Sequence, residues 1–195
     1  MVDWLFEEEK IMATFGKTDI GLDTVLVDAT DTIRGSIYTC PSDGTLTGGS
    51  IYFDPDGNGD AKMLVYRHSD LALIAESAAE SFLQTDAADW YNFTFAGESV
   101  VNGVVYLLCI FKEIQATLYR TNNAEVNAYH EADDAYNAAP DPLVVDAHRD
   151  HLMSIYATYT PTAPEEGGLR MTLSLKGHMG YDLKTRGGKA RRRTG

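Results

Sequence analysis

Cysteine is scarce in this chain, and so is positive charge. Two cysteines among 195 residues cannot build a disulfide framework, so a stable body must come from apolar packing. Cys109 lies inside an apolar run, where a thiol behaves as a small hydrophobe. Cys40 stands just before Pro41, and the strict geometry of a bridge makes pairing of the two an unfavoured expectation. Sixteen Lys and Arg face 29 Asp and Glu, for a net charge of −13, which favours solubility and argues against a nucleic-acid surface on the body. No apolar stretch is long enough to cross a bilayer. No basic start leads into an apolar core, so neither a signal peptide nor membrane attachment is expected. Also missing are Gly-x-Ser-x-Gly, a phosphate loop and His-Glu-x-x-His. Among so many acids some pair could always be nominated for glycoside hydrolysis, but none stands on an evident cleft strand. The chain is therefore read as non-catalytic.

What is present is a β-rich alphabet, with 11 tyrosines and abundant Thr and Val. The central stretch runs from Trp90 to Arg120. Within it Val104 to Phe111 is apolar throughout, bounded by Asn102-Gly103 and Lys112-Glu113. It has no helical period, and a strand buried on both faces fits it best. Asn92 to Phe95 before it alternates as a half-wet strand does, and Ile114 to Tyr119 after it is β-rich again.

Short strand candidates separated by turns fill much of the remainder. They are Val25 to Val27, Ile33 to Thr39, Thr45 to Phe53 with a weak point at Gly48-Gly49, and Lys62 to Arg67. Leu71, Ile74, Ala75, Ala78 and Phe82 can share a helical face, but Ala72 to Ser77 also suits an edge strand, and the strand is preferred. Thr121 to Pro142 reads as a long polar connection with a helical turn around Ala124 to Ala132. His151 to Tyr159 alternates as a closing strand. Many short strands and no crossover helices give an all-β fold, an antiparallel two-sheet β-sandwich of jelly-roll-like form.

The expected organisation is an N-terminal extension over 1–13, the sandwich over 14–160, and a tail over 161–195. In the extension, Trp4-Leu5-Phe6 followed by Glu7-Glu8-Glu9-Lys10 reads either as a short amphipathic helix or as a translated leader ahead of Met12. The tail holds a Pro- and Gly-bearing linker, one alternating segment from Leu169 to Leu175, and a basic end expected to be flexible. Between Lys176 and Gly195 seven Lys or Arg oppose one acid, leaving −19 on the remainder.

Four groups of residues invite functional readings. Asp54, Asp56, Asn58 and Asp60 alternate oxygen ligands with glycine, as a calcium loop does; the same residue types also make ordinary turns. His148 and His151, with Asp146 and His130, are too poorly placed on a strand to converge on zinc. Tyr119, Tyr129 and Tyr136 lie in or beside the long connection, where exposed rings near Asn and Asp suit stacking on sugars; the plainer reading packs them onto the sheet, and Trp90 is assigned to the core. Lys184, Arg186, Lys189, Arg191, Arg192 and Arg193 form a basic end for a polyanion or an acidic partner.

An ordered series of short motifs adds a resemblance. It consists of Phe15-Gly16-Lys17-Thr18, Ile33-Arg34-Gly35-Ser36, Gly44-Thr45-Leu46-Thr47, Ala61 to Tyr66, Trp90 to Phe95, Asn102 to Leu108, Asn127-Ala128-Tyr129 and Ser154 to Tyr159. Their order over Thr14 to Thr160 resembles the carbohydrate-binding-module-like β-sandwich domains of phage and archaeal virion or surface proteins. The resemblance implies a structural or adhesive sandwich and names no ligand. It places the chain in a virion, contacting other virion proteins or further copies of itself, with a glycan as a further partner. The alternatives are a carbohydrate-binding module of a soluble or surface protein and, behind it, a glycan-active enzyme. Where that module has a plain hairpin turn, this chain has its acidic loop, and the tail after Pro161 lies outside the likeness.

Overall fold

The computed structural model describes residues 11–27, 30–122, 129–136 and 138–163. The extension before Ile11, the segment from Leu169 to Leu175 and the basic end lie outside the described residues. By internal contacts the chain divides into Met1–Ala163 and Pro164–Gly195, and the sandwich belongs to the first unit.

Among the described residues every regular element is a strand. They are β1 (Ala13–Gly16), β2 (Asp23–Val27), β3 (Thr32–Thr39), β4 (Gly44–Pro55), β5 (Gly59–Arg67), β6 (Ala72–Glu76), β7 (Glu80–Phe82), β8 (Asp89–Thr94), β9 (Ser99–Val100), β10 (Val105–Lys112), β11 (Ala116–Asn122), β12 (Tyr129–Asp133), β13 (Ala147–Arg149), β14 (His151–Met153) and β15 (Ile155–Pro161). They form two antiparallel sheets. Sheet A follows the path β1-β15-β4-β11-β14, with β2 on β11 and with β8 and β9 on β4; sheet B follows β13-β12-β3-β10-β5-β6, with β7 on β5. Successive stretches of chain pass back and forth between the sheets, which makes this a jelly-roll-like sandwich. No helix among the described residues is long and apolar enough to cross a membrane.

The apolar run behaves as its composition requires. Strand β10 lies between β3 and β5, with Cys109 opposite Gly35 on one side and Leu64 on the other. Tyr106, Leu108 and Ile110 face the inter-sheet core with Ile51, Phe53, Met63, Val65, Leu118 and Ile155. Leu107, Cys109 and Phe111 point the other way, into a second apolar cluster with Ile33, Leu64, Tyr66, Ala132 and Leu143. A strand with apolar residues at every position needs two dry faces. Here one is supplied by the other sheet and one by chain laid over the back of sheet B. Gly35 is required by the close approach of β10: a Cβ there would collide with the Cys109 sulfur and the Leu108 carbonyl. Cys40 belongs to the first cluster and Cys109 to the second, and both thiols are free.

The cover over sheet B comes from the long connection. Tyr136 packs on Phe111 at 4.9 Å between ring centroids, and the Lys62 ammonium sits over the Phe111 and Tyr136 rings at 5.2 and 5.1 Å while pairing with Glu76. The Leu143 amide donates to the Leu71 carbonyl at 2.9 Å, and Asp141 accepts from the Leu73 amide at 3.0 Å. The helical turn expected around Ala124 to Ala132 is not what the described part of that range adopts. Residues from Tyr129 are extended as β12 and add to the edge of β3, where sheet pairing satisfies backbone groups that an isolated polar turn of helix would leave to water. The closing strand expected from His151 to Tyr159 breaks at Ser154 into β14 and β15. The edge strand expected at Ala72 to Ser77 is β6, at the edge of sheet B, and the short strand β7 follows it. The irregularity expected at Gly48-Gly49 falls one residue earlier, where Thr158 pairs with Gly48 but Tyr159 with Leu46, leaving Thr47 as the extra residue.

Candidate functional site

The outward face of sheet A differs from that of sheet B. Alternation along β4 sends Ile51 and Phe53 into the core, so Tyr52 faces outward. On β8, Phe93 and Tyr91 turn inward and Trp90 outward. On β15, Ile155 and Ala157 are core residues and Tyr156 points away. On β11, Ala116 and Leu118 are buried and Tyr119 is outward. Strand register brings these four side chains together: Tyr52 pairs with Trp90 across β4 and β8, and Tyr156 lies opposite Ser50.

The result is a continuous aromatic strip. Tyr119 meets Tyr52 at 4.8 Å and 88°, Tyr52 meets Trp90 at 5.5 Å and 68°, and Trp90 meets Tyr156 at 5.1 Å and 54°. All four residues are partly exposed. The rings alternate in orientation, which suits their quadrupoles, so the strip is not a flat pavement. Ser50 shares this face yet is buried, and its hydroxyl donates to Asn92 Oδ1 at 2.5 Å. Beside it lies a shallow groove of about 260 Å³ lined by Gly48, Gly49, Ser50, Asn92, Tyr156 and Thr158. Aromatic surface next to placed hydroxyl and amide groups is the combination a sugar-binding site uses, apolar faces meeting C–H groups and polar groups meeting hydroxyls.

Acids border the Tyr119 end. Asp54 is outward on β4, opposite Thr117, and Asp56 accepts from the Thr117 hydroxyl at 2.8 Å. Asp89 accepts from the Trp90 amide at 2.7 Å. Burial raises the Tyr119 phenol above its ordinary value, and Tyr52, Asp54 and Asp56 add to that rise.

The residues nominated from sequence fall in different places. Tyr119 belongs to the strip. Tyr136 does not: its ring is spent on Phe111 and Lys62 in the cover of sheet B, and its buried hydroxyl has no hydrogen-bond partner. Tyr129 lies on β12 opposite Ser36; its side chain is outside the described residues, as are Lys184, Arg186, Lys189, Arg191, Arg192 and Arg193. Trp90, assigned to the core from sequence, is on the outer face, and sequence reasoning does not single out Tyr52 or Tyr156. The strict alternation around Phe93 and Ile155 is the available signal for Trp90 and Tyr156.

The acidic loop is shorter than the sequence suggests, because Asp54 is still in β4 and Asp60 already in β5. Its oxygens have separate uses: Asp56 holds Thr117, Asn58 Oδ1 accepts from the Gln84 amide at 2.8 Å, and Asp60 Oδ1 accepts from the Ser81 hydroxyl at 2.6 Å. Among the described residues no group of three or more His, Cys, Asp or Glu is arranged to hold a metal ion. His148 and His151 go to different sheets, on β13 and β14.

No protein-family model matches the sequence, and no curated protein sequence matches it. Solved structures similar in fold include the following two. One is the clostridial cysteine protease Cwp84 after propeptide cleavage, at a TM-score of 0.54 and 10% identity, over 77% of this chain and 40% of that one. The other comprises the cysteine protease and lectin-like domains of Cwp84, a surface-layer-associated protein of Clostridium difficile, at a TM-score of 0.53 and 10% identity, over 77% and 36%. The chain thus matches well under half the length of either. At such identity the likeness establishes a shared fold.

Proposed function

We propose that this protein is a non-catalytic, adhesive β-sandwich that binds carbohydrate on the outward face of sheet A. One observation carries the reading: Tyr119, Tyr52, Trp90 and Tyr156 form an unbroken, partly exposed strip beside a groove furnished with Ser50, Asn92 and Thr158. Each step along the strip is comparable to one pyranose residue, and the alternating ring planes suit a single glycan chain better than the flat face of a crystalline polymer. The fold shared with a structure that contains lectin-like domains supports the same reading. The phage or viral setting enters only as part of this proposal, through the ordered motifs between Thr14 and Thr160.

Trp90 provides its own reporter, since the only other tryptophan is Trp4. The test is a glycan array followed by fluorescence titration of the best ligand. Binding that shifts Trp90 emission, and that is lost in both Trp90→Ala and Tyr156→Ala while the fold persists, is the expected result. An array with no bound glycan, or ligands held equally well by both variants, overturns the proposal. Release of reducing ends from a bound glycan would return the enzyme reading.

A further inference from the structure

The strip has a charged border, and this bears on which glycans it can accept. Asp54 lies two residues from Tyr52 on the same strand and the same face, and Asp56 is held beside it by Thr117. Asp54 and Asp56 both act on the Tyr119 phenol. Among the described residues, nearby basic groups do not offset them. Lys17 is paired with Asp19, and Arg120 alternates to the side of β11 opposite Tyr119. Asp54 lies on β4 and Asp56 just beyond its end; β4 carries Tyr52 and pairs with β11, which carries Tyr119.

We propose that this face takes an uncharged glycan chain and rejects chains bearing carboxylate or sulfate. The proposal rests on the sugar-binding reading of the same strip. The strip supplies affinity through ring faces, which any pyranose can use. The acidic border supplies selectivity, since an anionic substituent placed over Tyr52 or Tyr119 would sit near Asp54 and Asp56, with no cation among the described residues placed to meet it. Neutral hydroxyls lose nothing there, because a carboxylate is a good acceptor for them.

The experiment uses the whole chain on an array that pairs neutral oligosaccharides with uronic-acid, sialylated and sulfated counterparts, at low and at physiological salt. It compares wild type, Trp90→Ala, and the double variant Asp54→Asn with Asp56→Asn. Wild type should hold neutral glycans only. The double variant should keep neutral binding and gain about two- to fivefold in signal on acidic counterparts, a gain that fades as salt rises. Acidic glycans bound by wild type in a Trp90-dependent way would overturn the selectivity while leaving sugar binding intact. No rise in the double variant, with neutral binding preserved, would do the same. Absence of any Trp90-dependent glycan would instead remove the sugar-binding reading itself, and this inference with it.

Discussion

The two outer faces of the sandwich are built from similar materials and treated in opposite ways. Each carries large aromatic side chains at outward positions of central strands: Tyr66 and Phe111 on sheet B, Tyr52, Trp90, Tyr119 and Tyr156 on sheet A. On sheet B the connection that includes Tyr136 and Leu143 lies over them, and Lys62 bridges rings and cover. On sheet A the rings pack on one another and remain partly exposed. Composition therefore does not separate core from recognition surface here. What separates them is whether a later stretch of chain returns to cover the face, and an aromatic row left open is the feature that asks for a ligand.

Substitutions at matched positions sharpen this contrast. The largest effect is expected at Phe111→Ala on the covered face, which should lose about 3–5 kcal/mol of stability in urea unfolding, since it removes a fully buried ring and leaves a cavity. Trp90→Ala on the open face should lose much less stability but about 2 kcal/mol or more of glycan affinity, as a central aromatic contact does. Equal losses of stability at the two sites would break the comparison.

Buried hydroxyls give a smaller effect with two signs. Tyr66 has its hydroxyl buried without a hydrogen-bond partner, so Tyr66→Phe should raise stability by about 1 kcal/mol. The Tyr38 hydroxyl donates to the Met153 carbonyl at 2.6 Å, so Tyr38→Phe should lower it by about the same amount. Denaturant midpoints of the two variants should move in opposite directions.

Alkaline pH separates the same regions. Burial pushes the Tyr66 and Tyr38 phenols and the Cys109 thiol well above their ordinary values. In that range the folded chain holds protons that the unfolded chain releases. Stability is therefore full below about pH 8.5, and it falls as pH rises past the ordinary thiol and phenol values. In an absorbance titration Tyr38 and Tyr66 should ionise only with unfolding. The smallest expected effect is that of added Ca²⁺, which should leave the thermal midpoint unchanged, and equally so in Asp56→Ala. A calcium-dependent rise would show that the loop rearranges around the ion.

The centre of sheet B is legible in the sequence because Val104 to Phe111 has no polar position and so no wet face. That run is strand β10, displaced by one residue at each end. Sheet A's outer strip is harder to read. Trp90 stands beside inward-facing Tyr91, and in a short strand one step of alternation decides between core and surface. Tyr52, Trp90, Tyr119 and Tyr156 come from four strands spread over more than a hundred residues, and only their pairing shows them to be neighbours. Tyr136 is legible as an aromatic in a long connection, but not as part of the cover, because its partners Phe111 and Lys62 belong to the sheet beneath. The calcium reading takes its spacing from a loop that the strands shorten at both ends.

Strands β1 and β15 lie side by side and antiparallel, with Ala13 opposite Tyr159. The chain therefore enters the sandwich and leaves it at one pole. Tension drawn between those two ends would unzip the pair rung by rung from Ala13 toward Gly16, loading one hydrogen bond at a time and never the whole set in shear. An adhesin held by both ends would yield gently under strain. One held by a single end would pass the load through β15 into β4, the strand that carries Tyr52.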